Sequence, residues 1–419
     1  MPAKAQAFRY MFELSPKNFE EFLAATKKGN VVPVVRSVLA DLHTPVSAFL
    51  RVANDAEKAF LLESIEGGER LARYSFLASN PFMTVRTKNG VPILEKDGSR
   101  KTYPDRSLID FLRNHFKRHK LARREKLPPL CGGAVGFMAY DAARWFEKTL
   151  DDGKKSEKTE AIWMFFRNVL VFDRLKHRIE IVSIIFTDEA DGDKEKLRKL
   201  YDKAVAETAQ IEKNLDIETP TVLPKTTPQK VETNQFSSNW KKTDFLAAVE
   251  KVKKHIFAGN AYQVVLSQKF KRETNAEPLN IYRALRTTNP SPYMFYVKFG
   301  EETLIGASPE MLVRCHGRRL SYRPIAGTRK RGATEPEDWI LAEDLRSDAK
   351  EISEHTMLVD LGRNDLGKVS EYGSVEVAEL MKVEKYSHVQ HLVTSLKSRL
   401  KDGLDRFDAL GACFPAGTV

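Results

Sequence analysis

Apolar side chains recur at Phe245, Val249, Val252 and Ile256, with Thr243 or Asp244 available as a cap and Gly259 as a stop, a spacing that predicts a helix. The stretch EKLRKLYDKAVAETAQIEKNL (195–215) has the same periodicity. Shorter apolar runs predict strands: SAFLRV (47–52), AFLLES (59–64) and IEIVSIIF (179–186) early in the chain, then AYQVVLSQKF (261–270), YMFYVKF (293–299), ETLIGAS (302–308), EMLVRC (310–315) and RLSYRPI (319–325). The last two are joined through HGR, with Gly317 at the turn. Consecutive strands with tight connections predict an antiparallel meander, so the fold class is α+β. A long helical stretch follows from about Glu335 to Leu366, with a break near Ser347. There is no internal repeat.

One segment interrupts the periodicity. KNLDIETPTVLPKTTPQKVETNQFSSN (213–239) replaces apolar repeats with Pro, Thr, Lys and Asn, which predicts a linker between an α+β domain at 1–212 and a second domain at 240–419.

Composition narrows the class. An apolar content of 42% in 419 residues is ample for buried cores. The 68 Lys and Arg against 57 Asp and Glu leave a net charge of +11, spread along the chain, which suits an anionic partner without choosing between a phosphate polymer and a small carboxylate. Three cysteines without metal-like spacing point to reduced thiols and a cytoplasmic setting. The N-terminus lacks the apolar core of a signal peptide, and no apolar run reaches membrane-spanning length.

Five stretches invite a chemical reading. RPIAGTRKRG (323–332) puts four cations beside glycines; it reads either as a solvated basic turn or as the floor of an anion pocket, with the amides of Gly327 and Thr328 turned to the ligand. No nucleic-acid signature accompanies it, so a nucleic-acid partner is the weaker reading. SDAKEISEH (347–355) puts Glu351 and Glu354 on one helix face, where they either share a hard cation or face water, with Ser347 or Asp348 as helix cap. YSHVQHLVTS (386–395) carries His388 and His391, a buried hydrogen-bonded pair or a catalytic one. GGAVG (132–136) lacks the spacing of a dinucleotide loop and reads as a strand-edge turn, and DLGRNDLGKV (360–369) as a helix end stopped by Gly367.

Taken in order, GNAYQVVLS (259–267), NPSPYMFY (289–296), GASPEMLV (306–313), RPIAGTRKRG, DAKEISEHTMLVDLGRNDLG (348–367), VEKYSHVQHLV (383–393) and FPAGTV (414–419) resemble the chorismate-utilising enzymes, specifically component I of the anthranilate synthases. LLES (61–64), RYSFL (73–77) and GGAVGFMAYD (132–141) extend the resemblance into the first half. It implies two antiparallel sheets flanked by helices, chorismate as substrate and Mg2+ as cofactor. Ammonia adds at ring carbon 2 as the hydroxyl at carbon 4 leaves, and loss of pyruvate makes the ring aromatic.

By motif, the resemblance makes Glu354 the direct magnesium ligand and Glu351 its close or water-mediated partner. Glu310 becomes the general acid, a role that needs a raised pKa in a closed pocket. His391 sits against the substrate ring, while His388 has no matched role and keeps a structural reading. Gly327, Thr328, Thr418 and Gln263 become substrate contacts. Relatives that use water carry a base lysine at Gln263, and aminodeoxychorismate synthases, the alternative reading, carry a nucleophilic lysine at Ala326; both absences favour direct attack by ammonia.

The resemblance further implies a pocket for tryptophan as feedback inhibitor, formed by Glu63, Ser64, Arg73, Pro292, Tyr293 and Met294. It also implies a separate glutamine amidotransferase subunit as ammonia source. Family members continue past FPAGTV for roughly a hundred residues of the same domain. Residues 1–419, if they are the whole polypeptide, are therefore expected to turn over poorly.

Overall fold

The computed structural model describes residues 13–65, 73–122, 127–150, 158–218 and 236–417. Its contacts divide the described chain into two compact units, drawn from Met1–Thr221, Tyr282–Glu310 and Lys385–His388, and from Val222–Ile281, Met311–Glu384 and Val389–Val419. Both are mixtures of helices and antiparallel sheets, the α+β class predicted. Among the described residues no helix is long and apolar enough to cross a membrane.

The first unit holds two antiparallel sheets. The larger runs Glu13–Ser15, Val31–Leu39, Arg178–Phe186, Asn168–Asp173, Tyr74–Ser79, Lys58–Glu63, Tyr293–Phe299, Thr303–Ser308 in spatial order. The smaller has Ser99–Thr102, Val91–Lys96, Met83–Lys88, Thr159–Phe166 and Gly133–Met138. Side chains alternate between faces along a strand, so Val31 and Val35 join Val182, Ile184 and Phe166 in one core, while Val32, Val34 and Ile185 turn the other way. There they meet Phe22 of the helix Phe19–Thr26 and Tyr201 of the helix Lys194–Leu215.

The second unit is a five-stranded antiparallel sheet, Met311–His316, Arg319–Arg323, Val389–Arg399 and Ile325–Lys330, with Glu376–Lys385 also paired to Val389–Arg399. The helix Ala349–Val369 lies on this sheet through Val359, Leu366 and Val369, packed with Leu320, Tyr322 and Leu396. Gly362 permits the approach: a Cβ there would stand 2.6 Å from the Tyr322 ring. The break expected near Ser347 falls at Asp348, which ends the helix Glu335–Ser347 and caps the next by accepting from the amides of Lys350 and Glu351.

Several expectations need correction. SAFLRV is helical, within Pro45–Val52, because Thr44 and Ser47 form a capping box and Pro45 opens the first turn. The helix from Lys242 to Phe257 starts after Lys241 with no side-chain cap, and Asp244 sits inside its first turn. Of AYQVVLSQKF only Phe270 is in a strand, Phe270–Lys271, paired with Ser237–Ser238; the rest lies outside any ladder, with Tyr262 95% exposed. The expected meander is divided: Tyr293–Phe299 and Thr303–Ser308 pair in the larger sheet of the first unit, Met311–His316 and Arg319–Arg323 in the sheet of the second. The helix Ala349–Val369 runs through Gly367, which therefore does not stop it.

Candidate functional site

In the second unit, the strand Ile325–Lys330 pairs with Val389–Arg399 in register until Ala326 opposes Leu392, and then slips so that Thr328 opposes His391. Gly327 is the extra residue of this bulge, at φ +76°, a left-handed conformation that favours glycine. The bulge turns its backbone towards His391, whose Nδ1 lies 2.9 Å from the Gly327 carbonyl oxygen and 3.2 Å from Thr328 Oγ1. A carbonyl only accepts, so the imidazole hydrogen sits on Nδ1 and Nε2 is the acceptor position of the neutral ring.

Glu351 closes the other side. A Cβ on Gly327 would stand 3.2 Å from Glu351 Oε2 and 3.0 Å from Leu345 Cδ1, so the carboxylate lies directly against the bulge. Its Oε1 is 3.4 Å from Arg329 Nη1. Glu354 follows one turn later on the same helix and is half-buried. Gly327, Thr328, His391 and Glu351, drawn from three separate motifs, are thus brought together. Among the described residues there is no group of three or more His, Cys, Asp and Glu able to hold a metal ion. Two carboxylates on one helix face nonetheless suit Mg2+, which commonly takes one or two carboxylates and completes its shell with water and substrate oxygens.

The arginines of RPIAGTRKRG are committed to the fold. Arg323 pairs with Glu384, and Arg329 grips Asp344 and Asp348 as well as Glu351. Arg331 holds Asp338, which also accepts from the Gly332 amide at 2.6 Å. Ala326 is buried and carries no nucleophilic atom. His355, beside Glu354 in sequence, is a core residue: its Nε2 is 2.6 Å from Thr394 Oγ1, and burial pushes its pKa down, so it stays neutral.

Gln263 is exposed in the segment before Phe270. Glu310, the last residue of its stretch of the first unit, is exposed in the turn after Thr303–Ser308, its amide donating to Ser308 Oγ at 3.1 Å. His388 is exposed and bonds Ser387 Oγ at 2.7 Å, while His391 has the partners given above, so the buried histidine pair is not formed. Thr418 lies outside the described residues.

In the first unit, Glu63 ends the strand Lys58–Glu63 opposite Met294 of Tyr293–Phe299. Ser64 Oγ donates to the Pro292 carbonyl at 2.7 Å, and the Tyr293 hydroxyl is buried without a hydrogen-bond partner among the described residues. Five of the six residues expected in this pocket therefore adjoin. The fully buried Glu63 carboxylate receives the Tyr282 hydroxyl at 2.7 Å and Arg286 Nε at 2.9 Å, with Arg174 3.7 Å away. Burial and then the Glu63 charge push the Tyr282 pKa up, keeping that hydroxyl a donor. Arg73 is turned to Asp173, bonding it at 3.0 and 2.7 Å. Burial disfavours the Asp173 carboxylate, but the Arg73 bond and charge outweigh it and hold the pKa below the usual value.

Residues 57–419 match the family described as chorismate binding enzyme. The chain belongs to it. Among curated members, anthranilate synthase component 1 of Acetivibrio thermocellus is 42% identical over 406 residues, 96% of this chain and 80% of that protein. The component 1 proteins of Aquifex aeolicus and Synechocystis are 39% and 40% identical, covering 96% and 97% of this chain and 80% and 82% of theirs. The crystal structure of anthranilate synthase component I from Streptococcus pneumoniae superposes with a TM-score of 0.69 at 34% identity, over 91% of this chain and 80% of that one. MenF, the menaquinone-specific isochorismate synthase of Escherichia coli, shares the fold at a TM-score of 0.57 and 16% identity, over 94% and 77%.

Three polar residues of this chorismate binding enzyme escaped the sequence reading. Arg329 was visible only as one cation in a basic run. Tyr282 and Arg286 stand four apart on the helix Pro278–Thr288, a spacing that puts both on one face, but nothing in the sequence marks Glu63 as their target.

Proposed function

We propose that the chain is an anthranilate synthase large subunit, converting chorismate and ammonia to anthranilate and pyruvate. The observation that carries this is the bulge at Gly327, which gathers a histidine acceptor, a hydroxyl and a carboxylate in one place. The several relatives named anthranilate synthase component 1 at about 40% identity support the choice of product.

Glu354, with Glu351 close by or through water, would hold Mg2+, which when bound neutralises the ring carboxylate of chorismate. The Gly327 and Thr328 backbone, with Thr418 and Gln263, contacts the substrate. Nε2 of His391 faces the ring as an acceptor, while Nδ1–H stays with the Gly327 carbonyl. Glu310 would act as general acid on the hydroxyl that departs from carbon 4 as water. Neither Gln263 nor Ala326 offers a base or a nucleophile, so ammonia itself attacks carbon 2. A glutamine amidotransferase subunit supplies the ammonia, and tryptophan bound at Glu63 and Ser64 inhibits.

Incubating the protein at near-stoichiometric concentration with chorismate, Mg2+ and ammonium tests this, because anthranilate fluorescence reports even a single turnover. The expected product is ortho-aminobenzoate. Accumulation of para-aminobenzoate or isochorismate instead would overturn the reading.

A further inference from the structure

Arg329 follows Thr328 on the bulged strand and reaches three carboxylates at the junction of two helices. Its Nε is 2.5 Å from Asp344 Oδ2, Nη2 is 2.7 Å from Asp348 Oδ2, and Nη1 is 3.4 Å from Glu351 Oε1. Nη1 also donates to the Thr328 carbonyl at 3.1 Å. The planar fork of a guanidinium can serve several acceptors at once, which a single ammonium cannot. A guanidinium keeps its charge throughout the working pH range.

The grip is uneven. The two aspartates lie at strong hydrogen-bond distance, whereas Glu351 is held by the longest and weakest of the three contacts. Glu351 is also the carboxylate that touches Gly327. We propose that Arg329 is the resident counter-ion of Glu351. It neutralises this carboxylate while no divalent cation is bound and releases it when a cation arrives, and Asp344 and Asp348 retain the guanidinium throughout. Arg329 is thus a positioning residue that competes with the cation for one oxygen. The inference rests on the assignment of Glu351 and Glu354 to magnesium.

The test is Mn2+ titration of residues 1–419, with free aquo-Mn2+ read by electron paramagnetic resonance, so that no turnover is required. Arg329→Met should bind Mn2+ more tightly, on the order of fivefold, the worth of a partly exposed ion pair. Glu351→Gln should bind more weakly, and the double variant should bind no tighter than Glu351→Gln alone. Unchanged or weaker binding by Arg329→Met overturns the proposal. So does a gain that persists beside Glu351→Gln, because the cation would then be using Asp344 and Asp348. A folded wild-type chain that binds no Mn2+ overturns the magnesium assignment itself, and this inference with it. If Arg329→Met does not fold by circular dichroism, Arg329→Lys decides: a lysine can keep one aspartate but not span to Glu351, so it should tighten binding in the same direction, and unchanged or weaker binding is again the contrary result.

Discussion

Adding one methyl group at Gly327 probes the centre of the proposed site. The residue sits at φ +76°, where an L side chain costs about 1–2 kcal/mol. Its new Cβ would stand 3.0 Å from Leu345 Cδ1 and 3.2 Å from Glu351 Oε2, inside ordinary van der Waals contact. Leu345 is 0% exposed and has no room to retreat, so the carboxylate end of Glu351 must yield. That overpacking adds about 1 kcal/mol, and Gly327→Ala should destabilise by about 2–3 kcal/mol in total. Gly373 is the control, since it has φ +74° but nothing within 4 Å of its Cβ position. Gly373→Ala should therefore show the conformational cost alone. Urea unfolding gives both values, and Mn2+ titration reports whether Glu351 has been displaced. The reasoning is refuted if Gly327→Ala costs no more than Gly373→Ala and leaves Mn2+ binding unaltered.

Other expectations follow from the same structure. Glu63→Gln removes the charge facing Arg286 and Arg174, both partly exposed, so a loss of about 1–3 kcal/mol in urea unfolding is expected, with the proposed tryptophan binding lost by calorimetry. Gly362→Ala drives a methyl into the Tyr322 ring and should cost about 2–3 kcal/mol in the same assay, while the Mn2+ affinity of the folded fraction stays at the wild-type value. Burial, then the charges of His119 and Arg118, bring the His115 pKa down to about 4 from 6.5. A depressed histidine binds its proton more readily in the unfolded chain, so its contribution is full above pH 6.5 and is lost as pH falls towards 4. Allowing for partial exposure it amounts to about 1–2 kcal/mol, and His115→Gln should flatten urea midpoints between pH 7 and 4.5 by that amount.

The helix break at Asp348 was legible because a Ser-Asp pair followed by an acidic turn is a local signal, written in consecutive residues. The six apolar residues of SAFLRV were misread because so short a run does not separate strand from helix; the deciding signal was the Thr44–Ser47 box just upstream. AYQVVLSQKF has strand-like composition, but a strand also needs a neighbour, and among the described residues only Phe270 of that segment finds one. The candidate site residues came from motif resemblance, not from charge. Charge misled at RPIAGTRKRG, because the acids that absorb its arginines stand at positions 338, 344, 348, 351 and 384, set by tertiary contacts that no sequence period encodes.

The central claim is that chorismate binds with Mg2+ at the Gly327 bulge through Glu351 and Glu354. The most direct measurement is calorimetric titration of chorismate into the protein, with and without Mg2+, for wild type and the Glu351→Gln and Glu354→Gln variants. The account predicts Mg2+-dependent binding that either substitution removes or weakens at least tenfold. Chorismate binding that is indifferent to Mg2+ and to both glutamates would contradict it.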